Sequence, residues 1–181
     1  MNLAYYHPLI IHAPLVLIPI AVVFAIGDRL FPRAGLRLAA VLLLLFGAGG
    51  AFLATQTGEA AEHVARQENP GLRNIEASGT VPRALGNGSL METHATLGDL
   101  TAYLYGALFV VEAGVLFATS PATERWRGRW TLSATTASLV RGIWLAVAVV
   151  GIVVVVLTGY YGGQLVYDHG IGVTHSAANA P

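Results

Sequence analysis

The chain has 181 residues, of which 55% are hydrophobic and only 11% are charged, whereas about 25% of the residues in an ordinary soluble domain are charged. Ten arginines balance ten acidic residues and lysine is absent, so the chain lacks the basic surplus that is typical of nucleic-acid-binding proteins. It also has no cysteine, which excludes disulfides, iron–sulfur clusters, thiolate zinc sites and covalent c-type haem attachment.

Four apolar runs are each long enough to cross a bilayer, whose hydrocarbon core of about 30 Å needs about 20 helical residues. The runs cover residues 9–27, 38–55, 100–118 and 143–161. We therefore predict an all-α integral membrane protein, an up-and-down four-helix bundle that forms a single domain over residues 1–181 with the lipid bilayer as its surroundings. The one sizeable polar segment, 64–90, is too short for a second domain and is interpreted as a loop.

The arginines give the predicted bundle a direction. Four crossings place both termini on one side, and seven of the ten arginines lie on the other side, in or beside the segments 28–35 and 119–140. Because arginine-rich short loops stay in the cytoplasm, we predict that this side, the arginine end, is cytoplasmic and that both termini are periplasmic, in a bacterial inner membrane. The seven residues are Arg29, Arg33, Arg37, Arg125, Arg127, Arg129 and Arg141.

All six histidines are predicted to lie on the opposite side, which we call the histidine end. Two of them, His7 and His175, are interpreted as anchors at the membrane interface. The positive-inside rule does not concern histidine, so their shared side is an independent sign of a common site. The six residues are His7, His12, His63, His94, His169 and His175.

The histidine end favours a haem site. Haem b requires one or two axial histidines and no cysteine, and helix bundles build cofactor sites from facing side chains. We predict haem b with His12 and His94 as the axial pair and with His169 or His63 as substitutes. The expected role is electron transfer between a quinol or another membrane partner and a periplasmic cytochrome, and the expected protein partner is that cytochrome or a larger membrane complex.

Two alternatives stay open. Imidazole and carboxylate ligands suit a Zn, Cu or Fe ion, and several helices contribute such groups to the histidine end. In the second alternative, the chain is an accessory subunit of a respiratory or photosynthetic complex. Its serines lie in no nucleophile-elbow context, which disfavours a hydrolytic enzyme. The predicted metal ligands are His12, Glu59, Glu62, His63, His94 and His169.

A polar stripe runs along the third predicted helix. Glu112 follows His94 by 18 residues and so falls on the same helix face, with Tyr105 within about 40° of it. A carboxyl group inside a membrane is a functional-site hypothesis by default. We predict a proton path through Tyr105 and Glu112, with a tyrosine, a threonine or a backbone carbonyl as the partner of a protonated Glu112.

Four motifs along the chain are distinctive. They are the opening His-Pro-Leu-Ile-Ile-His-Ala-Pro-Leu, Thr-Gly-Glu-Ala-Ala-Glu after the second run, His-Ala-Thr-Leu-Gly before the third, and the closing Gly-Gly-Gln-Leu-Val-Tyr-Asp-His-Gly-Ile-Gly-Val. Together they resemble a family of bacterial membrane proteins, domain of unknown function 2231, over nearly the whole chain. The resemblance implies a four-helix membrane protein without an established activity, and relatives that occur beside cytochrome-like modules imply electron transport. The motif positions that it implies are His7, His12, Glu59, Glu62, His94, Tyr167 and His169.

Overall fold

A computed structural model describes residues 3–31, 33–68 and 89–171 of the chain. These residues are almost entirely helical and include no strand, which confirms the all-α prediction. A 3-10 turn and a one-turn helix, His7–Ile10, lead into the first of four long helices. The long helices are α1 (His12–Leu30), α2 (Ala34–Glu68), α3 (Leu90–Thr119) and α4 (Ala134–Tyr167).

Each of the four helices contains a segment that is long and apolar enough to cross a membrane. The helices extend well beyond the apolar runs at the histidine end. There α2 continues to Glu68 and α3 begins at Leu90, so both ends of the predicted loop 64–90 are helical. Most of that loop lies outside the described residues. The helical extensions carry the polar groups of the histidine end.

The helices form a closed four-helix arrangement in which each one packs on two neighbours. The packed pairs are α1 with α2, α2 with α3, α3 with α4, and α4 with α1. The shared core is centred on Ile18, Leu44 and Tyr105, none of which is more than 1% exposed. Large apolar side chains cover the outer faces, as expected for helices in contact with lipid.

Glycines allow α1 and α2 to approach closely. A Cβ atom added at Gly50 would lie 2.7 Å from Ala13 Cβ and 3.2 Å from Pro14 Cδ. A Cβ atom added at Gly49, one residue earlier, meets nothing within 4 Å. Alanine at Gly50 would therefore disturb the contact between α1 and α2, whereas alanine at Gly49 would change only the helix propensity of α2.

We expect Gly50→Ala to lower the melting temperature of the detergent-purified protein, because overpacking in a core costs about 1–3 kcal/mol. Gly49→Ala is the matched control and is expected to leave the melting temperature unchanged or slightly higher. Thermal unfolding followed by circular dichroism measures both. Equal melting temperatures for the two variants would contradict the close approach of α1 and α2.

Candidate functional site

Two histidines from different helices face each other at the histidine end. His7 begins the one-turn helix before α1, and His94 lies near the start of α3. Their ring centroids are 6.4 Å apart and their planes are nearly perpendicular, at 83°. Both rings are partly buried. We call these two residues the histidine pair.

His94 is held by the backbone of α4. Its Nδ1 lies 2.9 Å from the carbonyl oxygen of Thr158. A carbonyl oxygen can only accept, so Nδ1 carries the proton, and a neutral ring then has its lone pair on Nε2. The ring lies over Gly162, where an added Cβ would come within 2.8 Å of His94 Cε1. The absence of a side chain at this glycine allows the imidazole to reach the helix backbone.

His7 has the same arrangement on α2. Its Nδ1 lies 3.2 Å from Thr57 Oγ1, and the Thr57 hydroxyl is within hydrogen-bonding distance of the carbonyl oxygens of Leu53 and Ala54. A threonine hydroxyl that donates its one proton to either carbonyl accepts a hydrogen bond from His7 Nδ1. The ring packs on Gly58, where an added Cβ would be 3.1 Å from His7 Cε1. In each ring of the histidine pair, therefore, Nδ1 lies beside a polar group of a neighbouring helix, and a neutral ring with its proton on Nδ1 has its acceptor at Nε2.

The other predicted ligands are not brought to this pair. His12, His63 and His169 have exposed side chains, as does Glu59. Glu62 forms an ion pair with Arg66, with 2.7 Å between the Glu62 Oε1 and Arg66 Nη2 atoms. Among the described residues no three His, Cys, Asp or Glu side chains are grouped so that they could hold a metal ion.

The structure thus pairs His94 with His7, whereas the sequence suggested His12. His7 and Ile18, which is fully buried, are 11 residues apart and differ by about 20° around an ideal helix. His12 is rotated by about 120° from Ile18 in the same helix. The helical angle measured from the core residue Ile18 therefore points to His7 and not to His12. The family resemblance also included His7 among the motif positions.

A network of buried charges lies at the arginine end, with one residue from each long helix. Arg141 Nη2 is 2.6 Å from Asp28 Oδ2, and Arg141 Nε is 3.1 Å from Glu112 Oε1. Arg37 Nε is 2.9 Å from the same Glu112 oxygen. Asp28 and Glu112 are only 6% and 4% exposed. The four residues, which we call the charge network, have no net charge.

The charge network corrects the expected partner of Glu112. A protonated carboxyl group was expected beside a tyrosine, a threonine or a carbonyl, but the structure gives Glu112 two guanidinium groups. Its Oε2 is buried and has no hydrogen-bond partner among the described residues, and the same is true of Nη2 of Arg37. Sequence reasoning missed this network because Arg37 and Arg141 were interpreted only as signals of membrane direction. The sequence did contain a signal for this network. Arg37 and Arg141 lie near the starts of two predicted helices, at the same membrane level as Asp28 at the end of another.

Tyr105 and Glu112 of the stripe on α3 are both buried, but their polar groups are separated. Tyr105 is fully buried and donates its hydroxyl proton to the carbonyl of Ala148, at 2.8 Å. One turn towards Glu112, Trp144 Nε1 donates to the carbonyl of Leu108, at 2.7 Å. Apolar core side chains surround this level of the bundle. The proton path through Tyr105 and Glu112 stays a prediction.

We expect Arg141→Gln to destabilise the protein strongly, because it leaves two buried carboxylates with one arginine. Removing one partner of a buried ion pair costs about 3–5 kcal/mol. Arg33→Gln is the matched control, since the Arg33 side chain is exposed at the same end. Melting temperatures in detergent test the difference, and an Arg141→Gln variant as stable as Arg33→Gln would show that the network contributes little.

Comparison with known proteins gives one match. A family model described as a predicted membrane protein, DUF2231, matches residues 5–175. No curated protein and no solved structure matches the chain.

Proposed function

The chain belongs to this family of predicted membrane proteins, DUF2231, and we propose that it binds one haem b through His7 and His94 and transfers electrons at the histidine end. The observation that carries this proposal is the histidine pair, in which each Nδ1 lies beside a polar group of a neighbouring helix, so that a ring with its proton on Nδ1 would offer Nε2 as the ligand atom. Metal-bound histidines have this arrangement, because a hydrogen bond from Nδ1 fixes the tautomer and the ring orientation.

The spacing of the rings would allow both imidazoles to hold one iron. A metal–imidazole bond is about 2 Å and a ring atom lies about 1.1 Å from its centroid, so two rings that hold one metal would have centroids up to about 6 Å apart. The centroids of His7 and His94 are 6.4 Å apart. A haem supplies the other four ligands from its porphyrin, so a pair of imidazoles is sufficient.

The number of protein ligands, two, disfavours a metal ion held by the protein alone. Structural zinc sites take four protein ligands and catalytic ones take three. In the described part of the chain, the histidine pair has no third ligand beside it. Haem is therefore the cofactor that these two rings support best.

The surroundings of the pair also suit a haem. An apolar cluster at the same end includes Leu97, Tyr161 and Leu165, and such side chains exclude water from a macrocycle. When bound, the haem supplies one-electron chemistry. The residues of the chain hold the ligating rings, fix their tautomers and set the polarity around them.

The exposed charges at the histidine end favour a basic electron partner. Glu59, Asp99 and Asp168 all have exposed side chains there. Complementary charge steers association between proteins. We propose a periplasmic cytochrome with a basic face as the partner, in a membrane where the arginine end is cytoplasmic.

Absorbance spectra of the detergent-purified protein test the proposal. We expect a Soret band and, after reduction, the sharp α band of a low-spin haem with two histidine ligands. His7→Ala and His94→Ala are expected to abolish that spectrum or convert it to high spin. His12→Ala is the matched control and should retain it, because its ring is exposed.

Other outcomes select the alternatives. Protein expressed with ample haem that shows no Soret band would overturn the proposal. Stoichiometric Zn, Cu or Fe without that band would instead support a metal ion. Large partner proteins that copurify with a cofactor-free chain would support an accessory role.

We expect Gly162→Ala to weaken or alter the haem signal, because the new Cβ would displace the ring of His94. Gly163→Ala is the control one residue later, where an added Cβ meets nothing within 4 Å. The haem-to-protein ratio and the spin state are measured for both variants. A Gly162→Ala protein with the parental spectrum would show that His94 does not ligate from this position.

A further inference from the structure

Four arginines at the arginine end have exposed side chains, although one of them, Arg29, also donates from Nη1 to Ser138 Oγ at 3.1 Å. Arg37 and Arg141 belong to the charge network, and Arg127 Nη1 donates to the carbonyl of Ala118, at 2.6 Å. The remaining four side chains are exposed at the ends of the bundle helices and in the connection between α3 and α4. These residues, which we call the arginine collar, are Arg29, Arg33, Arg125 and Arg129.

The acids at this end do not neutralise the arginine collar. Asp28 and Glu112 are buried and engaged by Arg37 and Arg141. Glu124 is the third acid at this end in the described residues. Seven arginines against three acids leave a net charge of +4 there. The surplus is carried by the exposed side chains.

Two tryptophans lie beside the arginine collar with their rings outside the bundle. Trp126 and Trp130 are 70% and 83% exposed. The guanidinium carbon of Arg125 lies 4.9 Å from the centroid of the Trp126 ring. Indole rings favour the headgroup level of a bilayer, where one edge meets hydrocarbon and the other meets polar groups.

Apolar side chains continue directly into the arginine collar. Leu30 and Phe31, each 66% exposed, lie between Arg29 and Arg33 in the sequence. A cationic surface that binds a water-soluble acidic protein would not need exposed leucine and phenylalanine among its charges. Exposed arginines next to exposed apolar side chains suit the level of a bilayer where the headgroups meet the hydrocarbon.

We propose that the arginine collar, with Trp126 and Trp130, binds anionic phospholipid headgroups and so selects them over zwitterionic ones. The arginines provide hydrogen-bond donors and charge for the phosphodiester, and the tryptophans fix the depth of the collar in the interface. Electrostatic attraction of this kind is additive over several cations near an anionic surface. The inference does not depend on the haem proposal.

Tryptophan quenching by brominated lipids tests this preference. The protein is reconstituted into vesicles that contain both phosphatidylglycerol and phosphatidylcholine. In one set only the phosphatidylglycerol is brominated, and in the other set only the phosphatidylcholine is brominated. We expect phosphatidylglycerol to quench more strongly at equal mole fraction, with a preference that weakens as salt is added. Both leaflets have the same composition, so the orientation of the protein does not affect the result.

Charge variants identify the residues responsible. Replacement of all four collar arginines by glutamine is expected to reduce the lipid preference about tenfold or more. Replacement by lysine should keep most of it, which separates charge from misfolding. Arg66→Gln removes an arginine at the other end of the bundle and is the matched control.

Several results would overturn the proposal. They are equal quenching by the two lipids, a preference that survives the glutamine replacements, and a preference that is lost equally in the Arg66→Gln control. Loss of the preference on addition of inorganic phosphate at constant ionic strength would indicate a site for free phosphate and not for lipid. An acidic protein that binds the collar in the absence of any lipid preference would also contradict it.

Discussion

A polar side chain that faces the inside of this bundle must find its partner within the protein, because the lipid around the helices offers none. The structure meets this requirement at three levels. At the arginine end one charge from each long helix enters the charge network. In the middle, Tyr105 and Trp144 donate to backbone carbonyls. At the histidine end, the Nδ1 atoms of the histidine pair are engaged by Thr57 and by the backbone of Thr158. The proposed function would use the other ring nitrogen, Nε2, of each histidine.

The charge network and the histidine pair are linked through the helices that carry them. Glu112 and His94 are 18 residues apart on α3, which is about 27 Å along the axis and close to the same face. A rotation of α3 that turned Glu112 away from its arginines would also turn His94 away from His7. A buried ion pair adds little net stability but penalises every arrangement in which one charge lacks its partner. The network therefore fixes the rotation of the helices, and the histidine pair at the other end benefits from that fixed register.

The sequence was sufficient for the number of helices and for the polar stripe on α3, because both follow from local patterns. Apolar length counts the spans, and a separation of 18 residues places His94 and Glu112 on one helix face in any environment. The partners of these residues could not be read in the same way. His7 lies against Thr57 and Gly58 of α2, and His94 against Thr158 and Gly162 of α4, and such contacts depend on how the helices are rotated against each other. A core residue such as Ile18 supplies that missing reference, but its burial is known only from the packed structure.

The charge network divides the seven arginines of the arginine end into buried and exposed groups. A count of arginines treats all seven at one end alike, yet Arg37 and Arg141 are neutralised by Asp28 and Glu112 inside the bundle. The predicted direction counts all seven, because the helices have not yet packed during insertion and no arginine is then paired. Of these seven, only the four residues of the arginine collar are exposed in the folded protein, and the lipid proposal rests on these four. The same arginines can therefore be counted differently for membrane direction and for the folded surface, because folding buries Arg37 and Arg141 in the charge network.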